Sequence, residues 1–181
     1  MDITTAQNNF RKVTAASVAS TYTAANAVLT QTAPSTGLLF DYSSASVNGQ
    51  NPSLLYVLPF LVSATTAQTS IGMRIIGWRK YLQTSDSTFW YLPTILADFT
   101  LGFTSGTVPN YTIDGTSNTR TFSSITQVAG TPAGNLYSPA TAAGANVEPC
   151  YAMIDLAGAQ YVTAQFKSSG TPDMGAFWAT L

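Results

Sequence analysis

Apolar and polar residues along this chain alternate over short stretches, and the alternation is that of β-strands. Ile95, Ala97, Phe99 and Leu101 interleave with Thr94, Asp98 and Thr100, and Val162, Ala164 and Phe166 interleave with Thr163, Gln165 and Lys167. A period of two sends successive side chains to opposite faces, so both segments read as half-buried strands. Leu38-Leu39-Phe40-Asp41-Tyr42 and the run from Leu54 to Val62 are too short for helices and read as strands, the second of them buried. Met73 to Tyr81 carries Ile75, Ile76, Trp78 and Tyr81 among Arg74, Arg79 and Lys80, a mixture of β-branched and aromatic residues that suits a sheet. Ala176 to Leu181 is a further apolar strand, which needs a place within a sheet or against a neighbour.

Turn signals separate these runs. Asn48-Gly49-Gln50-Asn51-Pro52 and Val108-Pro109-Asn110 mark loops, and Gly130 to Pro149, with Pro132, Gly134, Pro139 and Gly144, reads as a long surface loop. Asp114-Gly115 suits the two central positions of a type I′ turn, both of which need positive φ, and predicts a hairpin there. Many short strands and no sustained helical period predict an all-β protein, a β-sandwich of jelly-roll type.

The first 37 residues differ in pattern. They are rich in Thr, Ala, Ser and Asn, carry only Arg11 and Lys12 as charges after Asp2, and close on Pro34 and Gly37. Val13, Ala16, Val18, Tyr22, Ala25, Val28 and Leu29 show partial helical spacing that the interleaved Thr and Ser weaken. Residues 1–37 are expected to be an extended N-terminal arm or a short helix, and residues 38–181 one sandwich domain. An arm of that kind serves attachment, so removing residues up to about Gln31 is expected to leave a folded sandwich.

Composition then narrows the chemistry. The chain has no histidine, a single cysteine at Cys150, and only 8% charged residues in 181. Acid–base catalysis, nucleophile activation and transition-metal binding draw on the residue types that are scarce here, so no enzyme activity, cofactor, metal site or catalytic residue is expected. Cys150 reads as a small buried hydrophobe. The acids are scattered, without the spacing of a calcium loop; Asp98 and Asp155 are the pair whose meeting in space would suggest glycoside hydrolysis. Seven Lys and Arg against eight Asp and Glu give a net charge of −1, too little for a nucleic-acid packaging face. The longest apolar run has about nine residues, against the roughly 20 that span a bilayer as a helix, so no membrane partner is expected. Met1-Asp2-Ile3-Thr4-Thr5 lacks the features of a secretion signal, which points to synthesis in a cytoplasm. A neutral, Thr- and Ser-rich surface gives little protection against association, so assembly is the expected role.

Candidate contact residues follow. Phe89-Trp90-Tyr91 can form an exposed aromatic patch, with Arg79 and Lys80 as the neighbouring cations, and Phe177 and Trp178 lie on the last strand. Aromatics of this kind anchor subunit interfaces. They also stack on sugar rings in glycan-binding modules, while strand alternation turns part of such a cluster to the core.

The stretches Met73-Arg74-Ile75-Ile76-Gly77-Trp78-Arg79-Lys80 and Phe89-Trp90-Tyr91-Leu92-Pro93-Thr94-Ile95-Leu96-Ala97-Asp98-Phe99 resemble small virion structural proteins of tailed bacteriophages, of the capsid decoration or cement type. The resemblance implies a non-enzymatic β-sandwich on the capsid surface of a virion, bound to the major capsid protein and to neighbouring copies of itself as a homo-oligomer, and stabilising the shell. The alternative is a receptor- or glycan-binding module of a phage tail or fibre. The jelly-roll coat of a small icosahedral virus is a further rival, which a basic arm would favour and Arg11-Lys12 alone does not supply.

Overall fold

The computed structural model describes residues 11–22, 28–41, 52–62, 70–102, 110–113, 116–122, 124–131, 135–137 and 150–180. Among them there is no helix, and twelve strands form two antiparallel sheets: β1 (Arg11–Ala15), β2 (Leu38–Asp41), β3 (Leu54–Leu61), β4 (Ile71–Gln83), β5 (Thr88–Gly102), β6 (Asn110–Ile113), β7 (Thr116–Thr121), β8 (Ser124–Gln127), β9 (Asn135–Tyr137), β10 (Tyr151–Asp155), β11 (Tyr161–Ser168) and β12 (Met174–Thr180). The first sheet runs β1-β12-β3-β10-β9, with β7 on β3 and β6 on β7; the second runs β2-β11-β4-β5-β8.

The pairings nest. β4 pairs β5, β3 pairs β10, β2 pairs β11 and β1 pairs β12, so the strands match as the rungs of one long hairpin. That hairpin is then rolled upon itself, because β12 also pairs β3 and β11 also pairs β4. Inward side chains of both sheets meet in one core: Leu55, Val57, Ile154 and Trp178 from the first sheet, and Met73, Ile75, Phe99 and Val162 from the second. This is the two-layer packing expected of a β-sandwich, in which each sheet hides one face against the other.

The strands expected at 38–42, 54–62, 73–81, 94–101 and 176–181 are present in their described residues, and β12 lies between β1 and β3, which resolves the apolar character of its sequence. β6 and β7 flank Asp114-Gly115 as an antiparallel pair, while the turn itself lies outside the described residues. Of the loops expected at 48–52 and 108–110, residues 48–51 and 108–109 also lie outside them, and Asn110 is the first residue of β6.

Three expectations change. Residues 130–149 are not loop throughout, since Asn135–Tyr137 adds β9 to the edge of the first sheet. The described part of residues 1–37 contains no helix: Arg11–Ala15 is the edge strand β1, Val18 enters the core at 5% exposure, and Ala19, Tyr22, Thr30 and Gly37 bond to the second sheet at Ser168, Asp98, Tyr91 and Ala164. Val13 and Ala15 face the core, and the backbone N–H of Val18 bonds to Pro172 and that of Ser168 to Ala19. Because that chain covers the outer face of the second sheet, β11 is not half-buried: Val162, Ala164 and Phe166 point into the core, and Thr163 and Gln165 on the other face are buried as well.

Gly37 shows how closely the chain that enters β2 lies beside β11. Its φ is +66°, and a Cβ there would collide with the carbonyl oxygen of Ala164, whose N–H donates to the Gly37 carbonyl at 2.8 Å. Only glycine meets both demands without strain.

Candidate interaction surface

A β-bulge sets the geometry of the second sheet. Ile75 pairs with Ala97 and Ile76 with Ile95, which leaves Leu96 as the extra residue. Such a bulge increases local twist and re-aims the strands beyond it. Below it, Ile75 belongs to the main core; above it, Ile76, Trp78, Tyr91 and Tyr161, with Leu38 against them, form a second small cluster. The Trp78 indole N–H donates to Thr163 Oγ1 at 2.9 Å, and Tyr91 and Tyr161 meet edge to face at 5.4 Å.

Beyond this cluster the β4–β5 hairpin outruns its neighbours. β11 pairs β4 only as far as Trp78, and β8 pairs β5 only from Phe99 onward. From Arg79 to Leu92 the described strands form a two-stranded ribbon, flanked on the β5 side by Thr30, which exchanges backbone bonds with Tyr91. The ribbon is apolar on both faces, as cross-strand register dictates. Leu82 opposes Phe89 on one face, with Lys80 Nζ 3.9 Å from the Phe89 ring; Tyr81 opposes Trp90, and Arg79 opposes Leu92, on the other. Tyr81, Leu82, Phe89 and Leu92 are each nearly half exposed, and with Val28 and Leu29 beside Thr30 they are the exposed large hydrophobic residues among those described. Asp86 caps the turn by accepting from the Thr88 N–H and hydroxyl, which holds its carboxyl below the usual carboxylate range.

The expected contact residues therefore separate. Phe89 is exposed, and Arg79 is exposed with its guanidinium donating to the Ala157 carbonyl; Lys80 is half-buried, its N–H donating to Gln160 Oε1 at 2.7 Å. Trp90 is half-buried, and its indole N–H is buried without a partner among the described residues. Tyr91 and Trp178 are corrections: both are interior, Tyr91 beneath the covering chain and Trp178 in the main core with Arg11 above its ring. Phe177 is half-buried on the outer face of the first sheet, 4.9 Å from Phe60. The apolar residues at 81, 82 and 92 lacked a sequence signal that would separate them from core positions, because what leaves them uncovered is that no third strand among the described residues pairs with the ribbon.

Polar chemistry is used structurally. Asp98, 2% exposed, takes Arg74 Nε at 2.8 Å and the Tyr22 hydroxyl at 3.0 Å, while the Arg74 guanidinium lies 4.1 Å and Lys167 Nζ 4.6 Å from the Tyr22 ring. Burial, with the Asp98 charge beside it, pushes the Tyr22 hydroxyl well above the usual tyrosine range. Asp155 sits on β10 in the other sheet and accepts from the Ala157 N–H, so the fold gives Asp98 and Asp155 separate partners in different sheets. Burial pushes the Cys150 thiol up to about 12, which leaves it un-ionised near neutrality. Among the described residues there is no group of three or more His, Cys, Asp or Glu that could hold a metal ion, and no helix long and apolar enough to cross a membrane.

No protein-family model matches this chain, and neither a curated protein nor a solved structure is significantly similar to it.

Proposed function

We propose that the chain is a non-enzymatic structural protein of a virion, a capsid decoration protein that binds the major capsid protein and stabilises the shell. The observation that carries this reading is the nested strand order. Four matched pairs, β1·β12, β2·β11, β3·β10 and β4·β5, with β12 also on β3 and β11 also on β4, support a jelly-roll reading of the sandwich, and that architecture recurs in viral capsid domains. Fold alone does not assign function, so the surface has to agree with it. It does so in its low charge and in an uncovered apolar ribbon at one end, both of which favour burial against other subunits at small desolvation cost.

Quantitative mass spectrometry of purified particles tests the proposal. A copy number near that of the major capsid protein, or a simple fraction of it, is the expected result. A handful of copies per particle would assign the chain to a tail or fibre instead, and its absence from particles would end the virion reading.

A further inference from the structure

The ribbon's β4 edge is an unfinished sheet, and we infer that a second copy of this chain completes it by antiparallel strand pairing. The Trp78 carbonyl accepts from the Gln160 N–H, and the Lys80 N–H donates to Gln160 Oε1. Those bonds fix the alternation of β4: backbone groups of residues 78, 80 and 82 point away from β5. The Lys80 carbonyl and both backbone groups of Leu82 therefore lie on the edge that β11 no longer covers. An edge whose backbone groups have no partner among the described residues, with apolar side chains on both faces, is a template for another strand.

Charge identifies the strand. The ribbon carries Arg79 and Lys80 at its base and Asp86 at its tip. Two copies paired antiparallel about Leu82 run in opposite directions, so the turn that carries each Asp86 comes to the base of the other copy's ribbon, with Asp86 level with Trp78 and next to Arg79, and Thr84 level with Lys80. The Asp86 carboxyl, held ionised by Thr88, keeps its charge for that contact. The edge is thus complementary to itself under a two-fold axis, the condition for an isologous interface. Pairing turns two ribbons into one four-stranded sheet and covers Tyr81 and Leu82. The inference does not need the capsid reading, because it concerns the purified chain alone.

Sedimentation equilibrium of the full chain tests it. The expected result is a monomer–dimer equilibrium that Leu82→Pro weakens at least tenfold, since proline removes an edge N–H that β5 does not use. Asp86→Lys is expected to weaken it as well, and adding Arg79→Asp and Lys80→Asp to Asp86→Lys to restore it by exchanging the charges. The charge exchange decides the matter if Leu82→Pro fails to fold. A chain that stays monomeric at millimolar concentration would overturn the inference, as would a dimer indifferent to the charge variants. Loss of self-association would leave the particle copy number untouched as a test of the capsid role.

Discussion

Tyr22 donates its hydroxyl to the carboxylate of Asp98, and Arg74 takes the other oxygen of the same group at 2.7–2.8 Å. One carboxylate thus ties the covering chain to β4 and β5. Asp98→Asn leaves Arg74 facing a neutral amide in a largely buried setting and is expected to cost about 2–4 kcal/mol, with Tyr22→Phe costing about 1–2 kcal/mol for one bond to a charged acceptor. Urea denaturation of the two variants measures both. Equal, small losses would show that the ion pair contributes little.

The same hydroxyl makes the fold sensitive to alkali. Tyr22 is raised above its ordinary value of 10.0 and Cys150 from 9.0 to about 12. Groups raised on folding stabilise fully below their unfolded values and lose that contribution as pH climbs through the folded ones. Stability is expected to hold to about pH 9 and to fall toward pH 12, less steeply in Tyr22→Phe. Denaturation midpoints at pH 8, 10 and 11.5 report this, and a flat profile would contradict it.

Trp78 and Trp90 should respond unequally to phenylalanine. Trp78→Phe strands Thr163 without its donor and opens space in a closed cluster, an expected loss of about 2–3 kcal/mol. Trp90→Phe removes a buried donor that has no described partner, and is expected to change stability by less than about 1 kcal/mol in either direction. Thermal unfolding of both variants separates the cases, and a larger loss at Trp90 would mean that its indole is bonded.

Gly37→Ala combines positive φ with a collision against Ala164. The expected cost is about 2–3 kcal/mol, since strain and overpacking add. Hydrogen exchange at the Ala164 amide, which bonds to the Gly37 carbonyl, should quicken in this variant. Unchanged protection there would show that the covering chain shifts without strain.

The strands that alternate or run apolar could be read directly from the sequence, because β3, β4, β5, β11 and β12 supply most of the core. β1 escaped because an edge strand needs only one inward face: Val13 and Ala15 suffice, and Arg11, Lys12 and Thr14 are exposed. β9 has three residues, too few for a pattern. The burial of Thr163 and Gln165 depends on residues more than 120 positions away and has no local signal. Phe89 was legible as an exposed aromatic, whereas the exposure of Tyr81, Leu82 and Leu92 was not, for what exposes them is where β11 stops.

Nesting also orders the events of folding. β4 and β5 are joined by a four-residue turn, Thr84 to Ser87, and close the smallest loop; β10 on β3, β11 on β2 and β12 on β1 each enclose the rung before. Each enclosing step closes a longer loop at higher entropic cost, and contacts so distant in sequence place a β-protein among slow folders, milliseconds to seconds. The inner hairpin is the natural nucleus and β1 the last strand to dock, so φ-values should be high around residues 76–95 and near zero in β1. Until β1 docks, the β12 edge stays open, and a chain crowded among its own copies can meet a neighbour's strand before its own.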